Sequence, residues 1–344
     1  MSRTNSFKVG LSRDLSDGNG GFSWGDIGIE SLHPLSWDFL SPLDSQFTPQ
    51  ALEGFHAVAF AGPSVTSTSF ADPGQSPLLL SRFGVGYDNI DLGACTAAGT
   101  ALTITPDGSK KPVATAALML TLSTMHRLVT KDALARSGGW NRRIEGLGQG
   151  LNGKTVATIG LGNIATEFFR LISPFDVRKI AYDPWKTKEE AAGFGIDLLD
   201  LAQVMAVADV VVVMAQLTPE SHHLIGQAQI ELMKPTSVLI NISRGPIIDE
   251  KALIAALEKR AIYGAGLDVF ETEPLAIDNP LLELDNVIIT PHNIAWTDEL
   301  ARGMGRSAFK AIKDISQGLI PEFVVNKEVL ATAQFREKLA LWQK

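Results

Sequence analysis

From Lys154 onward, six short and almost uninterrupted apolar runs, KTVATIG, RKIAYDP, ADVVVVM, SVLINIS, AIYGAGLDVF and NVIITP, alternate with helical stretches. No other feature of the chain restricts its fold as tightly. A strand with one wet face alternates polar and apolar residues. These runs show little alternation, so both faces of their sheet must be covered. Helices supply the cover. DEKALIAALEKR has Asp249 near its start and places Ala252, Leu253, Ala256 and Leu257 on one face, and AQVMAVA is a shorter example. Strand–helix–strand repetition implies right-handed crossovers and a parallel sheet, which makes the class α/β.

The first hundred residues are less regular. KVGLSRD, HAVAFAG, LLLSRFG and TALTITP read as strands of a smaller α/β unit, separated by loops rich in Gly, Pro, Ser and Asp. Residues 111–129, KPVATAALMLTLSTMHRLV, read as one long apolar core helix that starts after the turn TPDGSK. A second long helix is expected from about 297 to 317, after the last strand. Two helices flanking the repeated unit imply that the chain leaves the first domain, builds the second and returns. The expected division is 1–106 with 298–330, then 107–297, with a helical tail at 331–344. In that tail Phe335, Leu339 and Trp342 share one face.

A length of 344 residues favours about two domains. With 45% hydrophobic and 20% charged residues the chain is globular in composition, and a net charge of −8 gives no attraction to nucleic acid or to anionic membranes. The single cysteine, Cys95, excludes an internal disulfide and a cysteine-cluster metal site. No run approaches the roughly 18 apolar residues of a membrane helix, and the start MSRTNSFKVGLSRD is too polar for a secretory signal. The expected compartment is the reducing cytoplasm.

Gly160-Leu161-Gly162-Asn163-Ile164-Ala165 joins a strand to a helix. Glycines there let the turn close and let backbone N–H groups approach a pyrophosphate at the positive end of the helix. Ala165 takes the third small position. Asp183 ends the next strand, 21 residues after Gly162, near the spacing of about 20 expected for an acid that accepts from a ribose 2′-hydroxyl. A carboxylate there repels a 2′-phosphate, so the expected cofactor is NAD rather than NADP. The plainer alternative is that Asp183 opens a turn with Pro184.

Three later strand ends carry polar groups: Arg244 after SVLINI, Asp268 within GAGLDVF with Glu273 five residues on, and His292 after NVIITP. In a parallel sheet these ends share one edge with the dinucleotide. A planar guanidinium suits a substrate carboxylate, an imidazole suits a hydroxyl proton, and an acid beside the ring would orient it. Each residue also has a bland reading: Arg244 as surface, His292 as a loop histidine, Glu273 as an exposed turn acid. Asp268 lies in an apolar strand and needs partners there. His33, His56 and His126 have weaker claims. The pair His222-His223 lacks partners at metal-ligand spacing and reads as solvated surface, and no metal site is expected.

Taken together, FGVGYDNIDLGAC (83–95), GLGNIA, LTPESHHLIG (217–226), LMKPTSVLINISRGPIIDEKAL (232–253), GAGLDVFETEP (264–274) and NVIITPH (286–292) resemble the D-2-hydroxyacid dehydrogenase family. The resemblance covers roughly residues 80 to 330. It implies two Rossmann-like domains with parallel sheets, a discontinuous substrate-binding domain, an NAD-binding domain at 107–297 and an active site in the interdomain cleft. By the same resemblance Arg244 binds the substrate carboxylate, helped by the backbone at Val85 and Gly86. Glu273 pairs with the catalytic His292, and Asp268 lies near the nicotinamide. It also implies a homodimer formed through the cofactor domain, with an arm at 140–151 as the candidate contact.

The function this implies is hydride transfer between NAD and a small 2-hydroxy or 2-keto acid. Alternatives on the same fold are a phosphite-type dehydrogenase and an NAD-responsive binding module of the corepressor type. Formate dehydrogenases carry Gln beside their histidine, which Glu273 speaks against. The sequence departs from the family after His292, where Asn293-Ile294-Ala295-Trp296 brings in a bulky indole, and residues 14–37 match no family block.

Overall fold

A computed structural model describes residues 6–42, 45–70 and 74–343, so the ends of the expected substrate domain and tail, 1–5 and 344, lie outside the described residues. The chain divides into two compact units, Met1–Ser109 with Trp296–Lys344, and Lys110–Ala295. Each unit is built on one parallel sheet.

In the first unit the strands are β1 (Lys8–Leu11), β2 (Ser36–Phe39), β3 (Ala57–Phe60), β4 (Leu79–Arg82) and β5 (Ala101–Thr103), in the order β2-β1-β3-β4-β5. The sequence runs anticipate all but β2, whose SWDF is half exposed on an edge and lacks an apolar stretch. Residues 14–37 turn out to be structural in large part. Ile27 lies so close to Gly305 of the helix Asp298–Ser316 that a Cβ there would sit 1.8 Å from the Ile27 carbonyl oxygen. Arg302 ion-pairs with both Asp26 and Glu30. Trp24 stacks on Trp296 with ring centroids 4.4 Å apart, so the two unplaced features of the sequence meet. In the tail, Phe335 and Leu339 are buried, and Trp342 sets its edge against Phe7 and His56.

The expected helix at 111–129 differs in both its bounds. It begins at Pro106 and ends at Met125, and a separate helix runs Leu128–Arg136 after Arg127, whose φ of 54° is left-handed. The signal TPDGSK, read as a turn, is the first turn of this helix. Proline is tolerated there because its missing N–H has no intrahelical partner. Gly108 is required by close packing, since a Cβ would lie 2.4 Å from the backbone of Gly303.

The second unit carries seven parallel strands: β6 (Thr155–Ile159), β7 (Arg178–Tyr182), β8 (Asp197–Leu198), β9 (Val210–Val213), β10 (Val238–Asn241), β11 (Gly264–Leu267) and β12 (Val287–Ile289). Their order is β12-β11-β10-β9-β6-β7-β8. β9 and β10 are buried along their whole length, as the unbroken runs require, and each fully buried valine or leucine contributes about 1.5–3 kcal/mol. The two-residue β8 is too short to leave a sequence signal. Helix Glu250–Glu258 is capped by Asp249, whose side chain accepts from the Ala252 N–H, and it buries Leu253, Ala256 and Leu257. The order reverses between β6 and β9. That reversal opens a crevice at the carboxyl ends of the strands, where ligands of such sheets bind.

Candidate active site

The glycine turn leaves β6 at this reversal. Gly160 has φ of +93°, and a Cβ there would press on the backbone of Met214 and Ala215 at about 2.9–3.0 Å, so glycine is needed for packing. Gly162 differs. Nothing stands within 4 Å of the Cβ it lacks, and it precedes the helix Asn163–Leu171 without any side-chain cap. Open space beside Gly162 at an uncapped helix N-terminus suits a phosphate. Ala165 is fully buried against the sheet. Asp183, at the end of β7, accepts from the Leu161 N–H at 2.7 Å and from the Trp185 N–H at 2.9 Å. It holds the glycine turn and also opens the following turn, as the plainer reading of Asp183 with Pro184 expects.

Arg244 stands three residues beyond β10, in extended backbone just before a short 3-10 turn, Gly245–Ile247. Its guanidinium donates from Nη1 to the Ser243 carbonyl at 2.7 Å, and its own carbonyl accepts from Asn241 Nδ2. Gly245 lets this loop lie on the next one, because a Cβ there would meet the Phe270 carbonyl at 1.9 Å.

Glu273 and His292 form a direct pair: Oε2 lies 2.7 Å from Nδ1, while Oε1 accepts from the Phe270 N–H at 3.0 Å. Burial pushes the Glu273 carboxyl up. The His292 hydrogen bond, the Phe270 N–H and the positive charges of His292 and Arg244 outweigh that push and hold it below the usual carboxylate range. Arg244 is thus close enough to act electrostatically on the partner of His292.

Asp268, just beyond β11, is 5% exposed, and one oxygen does most of its work. Oδ1 accepts from Thr290 Oγ1 at 2.6 Å, the Asn293 N–H at 2.9 Å and the Ile294 N–H at 3.0 Å. These bonds straddle His292, whose φ of 53° is left-handed. Desolvation raises the Asp268 pKa despite those donors. The partners that an acid in an apolar strand needs are thus the Thr290 hydroxyl and two backbone N–H groups.

His222 and His223 are exposed, as the sequence reading expects, and His223 also has a side-chain partner: its Nε2 lies 2.6 Å from Glu271 Oε1, and its ring stacks on His222. The sequence held a usable hint, because Glu271 stands two residues before Glu273. Val85 and Gly86 belong to the first unit, in the half-buried loop after β4, where Gly84 exchanges hydrogen bonds with Thr105. A separate cavity of about 320 Å³ opens at the opposite, amino ends of β11 and β12, lined by Arg127, Arg260, Tyr263 and Asp285, away from these groups.

Residues 118–293 match the profile of the D-isomer specific 2-hydroxyacid dehydrogenase NAD binding domain. The chain belongs to this family. Among relatives, D-3-phosphoglycerate dehydrogenase of Methanocaldococcus jannaschii is 40% identical over 250 residues, which cover 72% of this chain and 47% of that protein. The match therefore spans about half the length of that relative. Glyoxylate reductase of Thermococcus litoralis is 36% identical over 261 residues, covering 74% of this chain and 78% of the reductase. A crystal structure of D-lactate dehydrogenase from Aquifex aeolicus with NAD and lactic acid superposes with a TM-score of 0.77 at 26% identity, covering 90% of this chain and 96% of that one. Membership places this dehydrogenase among the NAD(P)-dependent oxidoreductases of D-2-hydroxy acids, with a nicotinamide cofactor. No helix among the described residues is long and apolar enough to cross a membrane.

Proposed function

We propose that this dehydrogenase reduces small 2-keto acids, and oxidises the corresponding D-2-hydroxy acids, with unit Lys110–Ala295 holding NAD. The observation that carries this reading is the Glu273–His292 pair at 2.7 Å, with Arg244 acting on the same carboxylate.

Dihydronicotinamide, when held by this unit, would supply the hydride for C2 of the keto acid. Glu273 occupies Nδ1 of His292 and leaves Nε2 as the nitrogen that gives a proton to the carbonyl oxygen, or takes it back in oxidation. Glu273 fixes the ring and balances its charge, as an acid beside a general acid–base histidine should. Arg244 binds the substrate carboxylate, with the Val85 and Gly86 amides as further donors. Gly160, Gly162, Asn163 and Ile164 would hold the pyrophosphate and Asp183 the ribose 2′-hydroxyl, which would favour NAD over NADP. Asp268 holds the His292 segment beside the nicotinamide. The choice of side chain at C3 is assigned to the indole of Trp296, four residues after His292 in the sequence.

On this reading the enzyme works in the cytoplasm as a homodimer formed through the cofactor unit. The exposed Trp140, Ile144 and Leu147 of the arm offer an apolar contact for that purpose. The test is a panel of 2-keto acids graded in C3 size, from glyoxylate upward, assayed with NADH and NADPH on wild type and Trp296→Ala. Turnover of at least one member with NADH supports the proposal. Tight NADH binding with no turnover across the panel overturns it in favour of a binding module.

A further inference from the structure

Two segments present the reactive groups of the second unit: the loop 244–249, which carries Arg244, and the turn 270–274, which carries Glu273. Both are tied to a third segment, 221–226, that the reaction itself does not use. Within it, the His223 N–H donates to the Pro246 carbonyl at 2.8 Å, the Ile225 N–H donates to the Ile247 carbonyl, and the Asp249 N–H returns a bond to the Ile225 carbonyl. So far this is ordinary backbone pairing, recorded also as a parallel bridge between Ile225 and Ile248.

The side chain of His223 does something else. Its Nε2 reaches across to Glu271 Oε1 at 2.6 Å. That same oxygen accepts from the Glu250 N–H at 3.1 Å, while Glu250 Oε2 accepts from the Glu271 N–H at 3.1 Å. Two carboxylates so close repel each other unless donors surround them. Asn279 Nδ2 supplies one to Glu250, at 2.9 Å, and His223 supplies one to Glu271. Glu271 is two residues from Glu273, whose Oε1 is fixed by the N–H of the adjacent Phe270. The backbone of His223 grips one presenting loop while its ring grips the other. The residue also holds a left-handed φ of 52°, a conformation that L-residues rarely adopt. The surrounding bonds must therefore sustain it.

We infer that His223 is a positioning residue for the reaction, a strut that holds the Arg244 loop and the Glu273 turn in one fixed relation. The inference rests on the functional reading above. It adds to that reading a residue touching neither substrate nor cofactor. Glutamine discriminates this role from a bulk structural one, because its Nε2 can take the place of the imidazole Nε2 as donor, while alanine cannot.

The experiment compares His223→Ala, His223→Gln, Glu271→Ala and the double alanine variant with wild type, using two readouts. In hydrogen–deuterium exchange, His223→Ala should lose protection at 244–250 and 270–273 together, leave 160–165 unchanged, and regain protection in His223→Gln. In steady-state assays with NADH and the best 2-keto acid, His223→Ala should lower kcat by roughly 10- to 100-fold, the scale expected of a small misplacement at a reacting centre. NADH affinity should stay within about threefold. Glutamine should restore most of kcat, and the double variant should be no worse than either single one, because both remove the same link.

Unchanged exchange at either segment overturns the strut. Coupled loss of protection with kcat within twofold of wild type overturns its role in positioning, as does a defect that glutamine fails to rescue or that adds in the double variant. Should wild type turn over no keto acid at all, the functional reading fails on its own, and the exchange data still decide whether His223 links the two segments.

Discussion

Glu273 and His292, 19 residues apart in sequence, meet at 2.7 Å because each is anchored from behind by backbone. The second oxygen of Glu273 is held by the Phe270 N–H, and the segment around His292 is held by Asp268. Neither side chain is left to find the other by chance, so the pair is held in place by its own surroundings.

The pair gives a pH signature in stability. The folded-state pKa of Glu273 is lowered, so its ionisation contributes stability that is complete above the ordinary glutamate value of 4.5 and is lost as pH falls through the lower folded value. Melting temperatures of wild type and Glu273→Gln, measured from pH 3 to 7, should differ by a constant amount above about pH 5 and converge below 4.5. A difference that grows on acidification would contradict the assignment.

Arg244→Ala should act chiefly on substrate binding. Loss of a charge-assisted contact worth about 1.5–3 kcal/mol corresponds to a KM for keto acid raised roughly 10- to 150-fold, with NADH affinity retained. Saturation curves for the best keto acid at fixed NADH check this, and an unchanged KM would remove Arg244 from the substrate.

Asp268 tests whether position or charge matters at the His292 segment. Asp268→Ala strands the Thr290 hydroxyl and two backbone donors, and should cost about 1–3 kcal/mol of stability together with most of kcat. Asp268→Asn keeps an oxygen in the same place and should recover most of both. Thermal melts and turnover on the three proteins decide it, and an asparagine variant as impaired as alanine would point to the charge instead.

The second unit was readable because buried parallel strands write themselves as apolar runs and because their carboxyl ends share one edge, so Arg244, Glu273 and His292 fell into place by strand order. What escaped notice lacked such a pattern. Edge strand β2 is half exposed, and Gly108 looked like turn chemistry although its need for glycine arises from Gly303, almost two hundred residues away. His223 is surface, as it reads, but its contact with Glu271 could not be seen because that partner lies 48 residues on. Contacts between distant segments leave no local periodicity, and the Trp24–Trp296 stack is another of that kind.

Asp183→Ser should loosen cofactor choice, since it removes the charge facing a 2′-phosphate. The NADPH-to-NADH ratio of kcat/KM should rise about tenfold or more, equivalent to about 1.4 kcal/mol. Because Asp183 also accepts from Leu161, NADH binding should weaken at the same time. Parallel titrations with both nucleotides measure both effects, and an unchanged ratio would deny the carboxylate its role in selection.

Proton transfer by His292 is tested most directly by His292→Ala. With the best 2-keto acid and saturating NADH, turnover should fall by about 10²- to 10⁴-fold, the usual worth of a general acid–base group, while NADH titrated by fluorescence binds as it does to wild type. Near-normal turnover in that variant, with the cofactor still bound, would contradict the mechanism.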